Sequence, residues 1–224
     1  MDTLCFANVS SLSIDGTEAK VGSSIGEAIL KRLSDFKLPL AGEYQKNGMH
    51  KIFYTRKLSH FLQVLDQPPL LLGSDGLARD ASELKSLNFP TETAANFGLG
   101  VLNSSLFYWF FTVYSDCRNV NRREIDFFPN GFRSASDFDL NQLGHLAKKL
   151  MESMRANAKS VTMDYKKHGR MTIQCFFPRL SKSEIDDLDI VISRIYGLTA
   201  EQLEFVINYD IKYRMGQNTE GDDD

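Results

Sequence analysis

Apolar and polar residues recur along this chain with two distinct periods. Ile25, Ile29 and Leu33 fall at four-residue steps. They predict a helix over residues 24–36, capped by Ser23 or Ser24. "KLPLAGEYQKNG" then reads as a loop, with Pro39, Gly42 and an Asn47-Gly48 turn signal. In "HKIFYTRK" the period drops to two. Ile52, Tyr54 and Arg56 share one face, and Lys51, Phe53 and Thr55 share the other, as in a strand. "FLQVLDQPPLLLGSDG" reads as a short strand, a Pro-Pro break, a second short strand and a turn. Further short strands are expected near residues 77–80 and 86–89.

The helical period returns at Thr91 or Thr93. Leu99, Leu102, Leu106, Phe110 and Val113 form one apolar stripe. Ser104, Tyr108, Thr112 and Ser115 form a more polar stripe opposite, with Trp109 between the two. Asn103-Ser104-Ser105 can split this stretch into two helices. A further helix is predicted over residues 139–158, with Leu143, Leu146, Leu150 and Met154 inward and Lys148, Lys149, Arg155 and Lys159 toward the other side. "MTIQCFF" reads as a strand, followed by two short helices. The first uses Ile185, Leu188, Ile192 and Ile195. The second starts at a Thr199-x-x-Gln202 capping box and uses Leu203, Val206 and Ile207. Strands and helices that do not alternate regularly point to an α+β fold.

Composition narrows the class. The chain has 224 residues and 42% hydrophobic content, enough for one sizeable core. Its longest apolar run, residues 106–114, is far short of the roughly 20 residues a membrane span needs. Cys5, Cys117 and Cys175 are an odd set at no metal-ligand spacing, which suggests a reducing, cytoplasmic location. The net charge of −3 conceals an uneven distribution. Residues 1–43 hold 4 Lys/Arg against 6 Asp/Glu, residues 44–179 hold 18 against 12, and residues 180–224 hold 4 against 11. The middle block is therefore net +6, the kind of surface a polyanion requires. Ordinary solvated charge explains the same count equally well. "EGDDD" at the end is expected to be a disordered acidic tail.

No catalytic constellation emerges. "NFGLG" does not follow a convincing strand, and its glycines sit inside an apolar helical stripe, so close helix packing is the expectation. The chain has neither a Walker-type loop nor an Asn/Asp-Pro-Pro-aromatic tetrapeptide. His50, His60, His145 and His168 have no ligand spacing, and His145 reads as a helix-surface residue. Glu184, Asp186, Asp187 and Asp189 read as a solvated helix start, favourable against the helix dipole. Cys117, beside Arg118, reads as a partly buried structural thiol.

The residues suggest a binding surface instead. Three arginines and two asparagines crowd into residues 118–123, directly after the aromatic helix. Arg and Asn pair with guanine and adenine edges, and Lys and Arg neutralise phosphates. The competing reading is a loop whose arginines pair with Asp116, Glu124 and Asp126.

"LNSSLFYWFFTVYSDCRNVNRREIDFFP" resembles the C-terminal region of type IIG restriction–modification enzymes, which combine endonuclease, adenine-specific methyltransferase and target-recognition parts. "VGSSIGEAILKRL", "HKIFYTRKLSHFLQVLDQPP" and "FFPRLSKSEIDDLDIVISRIYGLTAEQLEFVINYDIKYRMG" resemble further blocks of that region in the same order. A looser Leu-Asn-Ser pattern also occurs in type I specificity subunits. The resemblance implies a target-recognition domain over residues 44–179, with a small twisted mixed sheet and packed helices. A helical lead-in (1–43) would precede it, and a helical C-terminal segment (180–216) and the tail (217–224) would follow. The implied partners are double-stranded DNA and methyltransferase and endonuclease domains, and no membrane. S-adenosylmethionine and magnesium belong to those other domains, so this chain by itself is expected to hold no cofactor and to be non-catalytic. It would be a fragment, an engineered domain or a stand-alone specificity subunit. The DNA-contact candidates are Lys51, Tyr54, Arg56 and Lys57 on the strand block and Arg118, Asn119, Asn121, Arg122 and Arg123 on the loop. Residues 43–47 and 73–86, where the resemblance is weakest, are the alternative reading surfaces. A protein-interaction module that docks onto a separate methyltransferase or nuclease subunit is the alternative function.

Overall fold

The aromatic run forms the centre of the molecule. In the computed structural model, which describes residues 13–57, 60–81, 84–166 and 169–216, it divides as its serines suggest. Helix α2 spans Glu92–Asn103 and α3 spans Ser105–Tyr114. Ser104 ends the first and caps the second, its hydroxyl accepting the Phe107 N–H at 3.0 Å. Thr91 caps α2 through the Ala94 N–H.

Every residue of α3 except Thr112 is buried. The expectation of one apolar and one more polar stripe therefore fails. Tyr108 is only 6% exposed, because Arg214 of helix α8 (Ile211–Met215) covers its ring. The Arg214 guanidinium carbon lies 4.5 Å from the Tyr108 ring centroid and 4.4 Å from that of Phe61. Trp109 meets Phe205 edge-on, and Phe107 and Phe110 both meet Phe128. Such edge contacts add to the area these rings bury.

Helices α6 (Lys182–Tyr196) and α7 (Ala200–Asn208) pack on α3, α5 (Asp137–Ala156) packs on α2 and α6, and α1 (Ser24–Leu33) packs on α7. One continuous apolar core runs from Ala19 to Val206 and draws on all three sequence blocks. The glycines of "NFGLG" serve packing, as expected. A Cβ at Gly98 would lie 2.6 Å from the Phe89 ring, and one at Gly100 would lie 3.1 Å from Leu143. The Thr199–Gln202 capping box is present. Helix α6 is fifteen residues long rather than short, and it ends on Gly197 in the left-handed conformation.

The α+β expectation holds, but the strands form two antiparallel sheets rather than one mixed sheet. The first has the order β2-β1-β4, from Val64–Leu65, His50–Thr55 and Leu84–Phe89. The second has the order β3-β6-β5, from Leu71–Leu72, Gly169–Cys175 and Lys159–Tyr165. Between β2 and β3 lies Pro68-Pro69, which offers no N–H to a continuing ladder, so the chain passes to the second sheet. No strand forms at residues 77–80. A turn at residues 74–76 precedes that stretch, which carries a single bridge from Ala78 to Leu72. Strand β5 was missed: its first residue, Lys159, was read with the preceding helix and the rest was not assigned. The alternation of Val161, Met163 and Tyr165 was its signal. Cys117 is exposed rather than partly buried. Cys5, His168 and the tail 217–224 lie outside the described residues.

Asp189 is a second correction. It is no solvated helix-start residue: it is 1% exposed and accepts the Ser105 N–H at 2.8 Å, at the first turn of α3. Its other carboxylate oxygen accepts no hydrogen bond among the described residues. Burial pushes its pKa up to about 7 from the usual 3.8, against the lowering effect of the Ser105 hydrogen bonds. The folded state therefore binds this proton more tightly than the unfolded chain. The associated stability is full near pH 4 and is lost as pH rises through about 7.

Two outcomes are expected. Phe110→Ala should cost about 3–5 kcal/mol in chemical denaturation, a large share of the roughly 5–15 kcal/mol of a typical domain. A loss below about 1 kcal/mol would contradict the burial of α3. Asp189→Asn should remove part of the loss of stability that the parent shows between about pH 4 and pH 7. Identical pH profiles for parent and variant would show that Asp189 ionises in the folded protein as it does in water.

Candidate nucleic-acid interface

The loop after α3 is held at several points. Ser115 caps the helix end, and its hydroxyl accepts the Cys117 N–H at 3.0 Å. The Asp116 carboxylate accepts the Arg118 N–H at 3.0 Å. That bond holds its carboxyl below the usual carboxylate range. Cys117 takes φ +60°, the left-handed turn conformation. Val120, 1% exposed, then plugs into the core. Its N–H donates to the Arg56 carbonyl oxygen at 2.8 Å, and Lys57 pairs with Asn119 in an antiparallel bridge. Asn121 and Glu124 form a capping box that opens helix α4 (Arg122–Asp126), which Ile125 anchors in the core.

The bridge brings the two separately proposed groups of residues together. β1 runs out of its sheet at Thr55, and the next two residues, Arg56 and Lys57, lie alongside residues 119–120 of the loop. The β1–β4 register sets Tyr54 opposite Lys85. A cleft of about 550 Å³ opens there, lined by Tyr54, Arg56, Lys85, Ser86, Asn121 and Arg122 among others.

The nine candidates divide by what their side chains do. Arg56, Lys57, Arg118 and Asn119 are exposed, and among the described residues their side chains accept or donate no hydrogen bond and form no ion pair. Lys51 is also exposed, but it lies opposite Asn88 on the other sheet face and does not join the cleft. Tyr54 is 4% exposed: its ring faces the core, and burial raises its pKa. Asn121 is occupied in capping α4. Arg122 pairs with Asp126 at 2.6 Å and lies 4.8 Å over the Tyr44 ring. This pair is largely exposed, the kind that contributes a few tenths of a kcal/mol and exchanges readily for another anion. Arg123 is a structural clamp. It donates to the Thr17 hydroxyl at 2.7 Å, to the Tyr114 carbonyl at 3.0 Å and to the buried Glu124 carboxylate at 3.0 Å.

The loop's arginines therefore serve two ends. Glu124 and Asp126 hold two of them, as in the paired reading. Asp116 is directed to backbone N–H groups instead, so among the described residues the Arg118 guanidinium forms no close ion pair, and Asp116 attracts it only at longer range.

Lys85 was missed. In "ELKSLNF" it reads as one polar position of a strand, and only the register places it beside Arg56 and Tyr54. Of the alternative surfaces, Glu43 is buried and accepts from Asn130 at 2.8 Å and Arg133 at 2.9 Å, so it is structural. Tyr44 carries Arg122 on its ring. Residues 74–80 are exposed and include an Asp75–Arg79 ion pair.

No family model, curated protein or solved structure matches this chain. No helix among the described residues is long and apolar enough to cross a membrane.

The clamp makes a testable distinction. Arg123→Ala should lower stability by about 1–3 kcal/mol, because it leaves the buried Glu124 without its cation. Arg118→Ala should change stability by less than about 0.5 kcal/mol. Equal losses in chemical denaturation would contradict this division of roles.

Proposed function

We propose that this chain is the sequence-specific DNA-recognition domain of a bacterial restriction–modification system, directing an adenine-specific methyltransferase or endonuclease to its site and performing no catalysis itself. The observation that carries the proposal is the Lys57–Asn119 bridge. It sets Arg56, Lys57 and Arg118, cations whose side chains form no hydrogen bond or close ion pair among the described residues, side by side on backbone that is hydrogen-bonded and anchored in the core. Cations held by rigid backbone meet phosphates at little ordering cost. Exposed Arg118 and Asn119 have the donor groups that read base edges. Arg56, Lys57 and Lys85 suit phosphate contacts. The resemblance to type IIG enzymes supplies the biological setting, and the methyltransferase and nuclease chemistry would belong to domains outside this chain.

One observation favours a second reading, a protein-docking module. The β3-β6-β5 sheet turns Leu71, Val161, Met163, Met171 and Ile173 to one face, where Met163 is 50% exposed. A cleft of about 520 Å³ opens on that face, lined by Pro69, Leu71, Tyr165, Met171 and Ile173 among others. Such a face suits a protein partner.

Duplex titration of the purified chain across a salt series separates the readings. A DNA reader binds alone, and log K falls linearly with log salt. Removing one phosphate contact, as in Arg56→Ala or Lys85→Ala, should reduce that slope by about 0.9. Loss of a base reader at Arg118 should instead relax preference at one base position by about 1–3 kcal/mol. Absence of duplex binding at low salt by folded protein would contradict the proposal and leave the docking reading.

A further inference from the structure

Arg122 lines the cleft between β1, β4 and α4, together with Tyr54 and Arg56. Its guanidinium is held from two sides. The Nε donates to the Asp126 carboxylate at 2.6 Å, and the guanidinium carbon lies 4.8 Å from the Tyr44 ring centroid. That ring is braced edge-on against buried Phe89, with centroids 5.3 Å apart. Asp126 thus engages the Nε alone, and the two terminal nitrogens form no hydrogen bond among the described residues. A positioned guanidinium with its fork open fits two oxygens of one phosphoryl group. Tyr54 is the second, independent observation. It is 4% exposed and lines the cleft, and its hydroxyl makes no hydrogen bond among the described residues. A tyrosine hydroxyl so deeply placed normally finds a partner. Burial raises its pKa, Arg122 and Arg56 oppose the rise and Asp126 adds to it, so all three charges act on this hydroxyl. The raised pKa keeps it protonated at neutral pH, as a donor. At about 550 Å³ the cleft has room for a phosphoryl group with its sugar. Lys85 borders residues 82–83, which lie outside the described residues, so the site rests on Arg122 and Tyr54 and not on Lys85.

We propose that this cleft is a phosphoryl-binding site: the terminal nitrogens of Arg122 and the Tyr54 hydroxyl donate to the phosphoryl oxygens, and Arg56 supplies further positive charge. Asp126 and Tyr44 are positioning residues, which fix the guanidinium through its Nε and its face. The phosphoryl group belongs either to the DNA backbone or to a free phosphate ester. The first source rests on the recognition reading above. The site itself does not. As a backbone contact it fixes register, because a hydroxyl and a fork tied to the core define where one phosphate sits. Asp126 repels any anion that enters, so inorganic phosphate alone binds in the millimolar range.

The test uses the full chain and inorganic phosphate at neutral pH, with ionic strength held constant by chloride. In NMR, the amide signals of residues 54–56 and 121–122 should shift along one saturable curve. Shifts that do not saturate, or that follow exposed lysines and arginines over the whole surface, mean charge screening and overturn the site. Tyr54→Phe keeps the buried ring, removes only the hydroxyl, and should weaken phosphate binding about 3–10-fold. Arg122→Gln should weaken it about 10-fold or more. Arg122→Lys keeps the charge without the fork and should not restore it. Chemical denaturation establishes that each variant is folded. Parent affinity in both Tyr54→Phe and Arg122→Gln overturns the proposal, and parent affinity in Arg122→Lys overturns the fork. A short duplex then separates the sources. A backbone ligand predicts that both variants weaken duplex binding, that Arg122→Gln lowers the salt slope by about 0.9, and that the neutral Tyr54→Phe leaves the slope unchanged. Phosphate binding that both variants weaken, with duplex binding that neither changes, assigns the site to a free phosphate ester. Phosphate binding with no duplex binding by any variant leaves the site standing and removes the DNA reading.

Discussion

Burial of nearly every side chain of helix α3 is the constraint from which the rest of this structure follows. A helix with Phe107, Trp109, Phe110 and Phe111 on its several faces cannot leave any side in water, so it must be covered all round. The coverings come from distant parts of the chain. Trp109 takes Phe205, Phe107 and Phe110 take Phe128, and Tyr108 takes Arg214. Burial also removes water from the first N–H groups of the helix, and side chains replace it. Ser104 and the buried carboxylate of Asp189 take that role. The unpartnered second oxygen of Asp189 shows the cost, and its raised pKa is the electrostatic expression of it.

The far end of α3 turns this rigidity to use. The chain leaves the helix at Ser115 and within a few residues is fixed again by the Asp116 carboxylate, the Val120–Arg56 hydrogen bond and the Asn121–Glu124 box. Each polar group spent on backbone is a polar group not available to pair with a side chain. That is why Arg118 forms no close ion pair with neighbouring Asp116 and feels it only at longer range, while Arg123 is bound on three sides. Charge density alone would have treated the three arginines as equivalent. Hydrogen-bond geometry makes one a clamp, one a loosely paired surface cation and one an open cation.

Much of this was legible in the sequence wherever a local rule decided the outcome. Thr91, Ser104 and Thr199 are caps because a hydroxyl at that position meets orphan N–H groups nearby. The glycines of "NFGLG" pack because a Cβ there would strike Phe89 or Leu143. Strand β5 was missed although its Val161–Met163–Tyr165 alternation was local, but the other misses are mostly tertiary. Nothing near Asp189 in sequence reveals that Ser105 lies against it. Nothing near Tyr108 reveals Arg214, and nothing in "ELKSLNF" reveals the strand register that brings Lys85 to Arg56. The division of strands into two sheets had a local cause in Pro68-Pro69, but which sheet each strand joined depended on partners far along the chain. The candidate surface was correspondingly half legible. Its residue types could be read directly, whereas the bridge that unites strand and loop, and the partners that withdraw Tyr54, Asn121 and Arg123 from it, needed the fold.

The central claim is that a rigid loop and strand end present unpaired cations and amides that recognise a particular DNA sequence. Selection of binding sites from a pool of random duplexes by the purified chain tests it most directly. The account predicts enrichment of one short motif, with Arg118→Ala or Asn119→Ala relaxing preference at one position of that motif while the others remain. Folded protein that retains duplexes without enriching any sequence, or retains none at low salt, would contradict it.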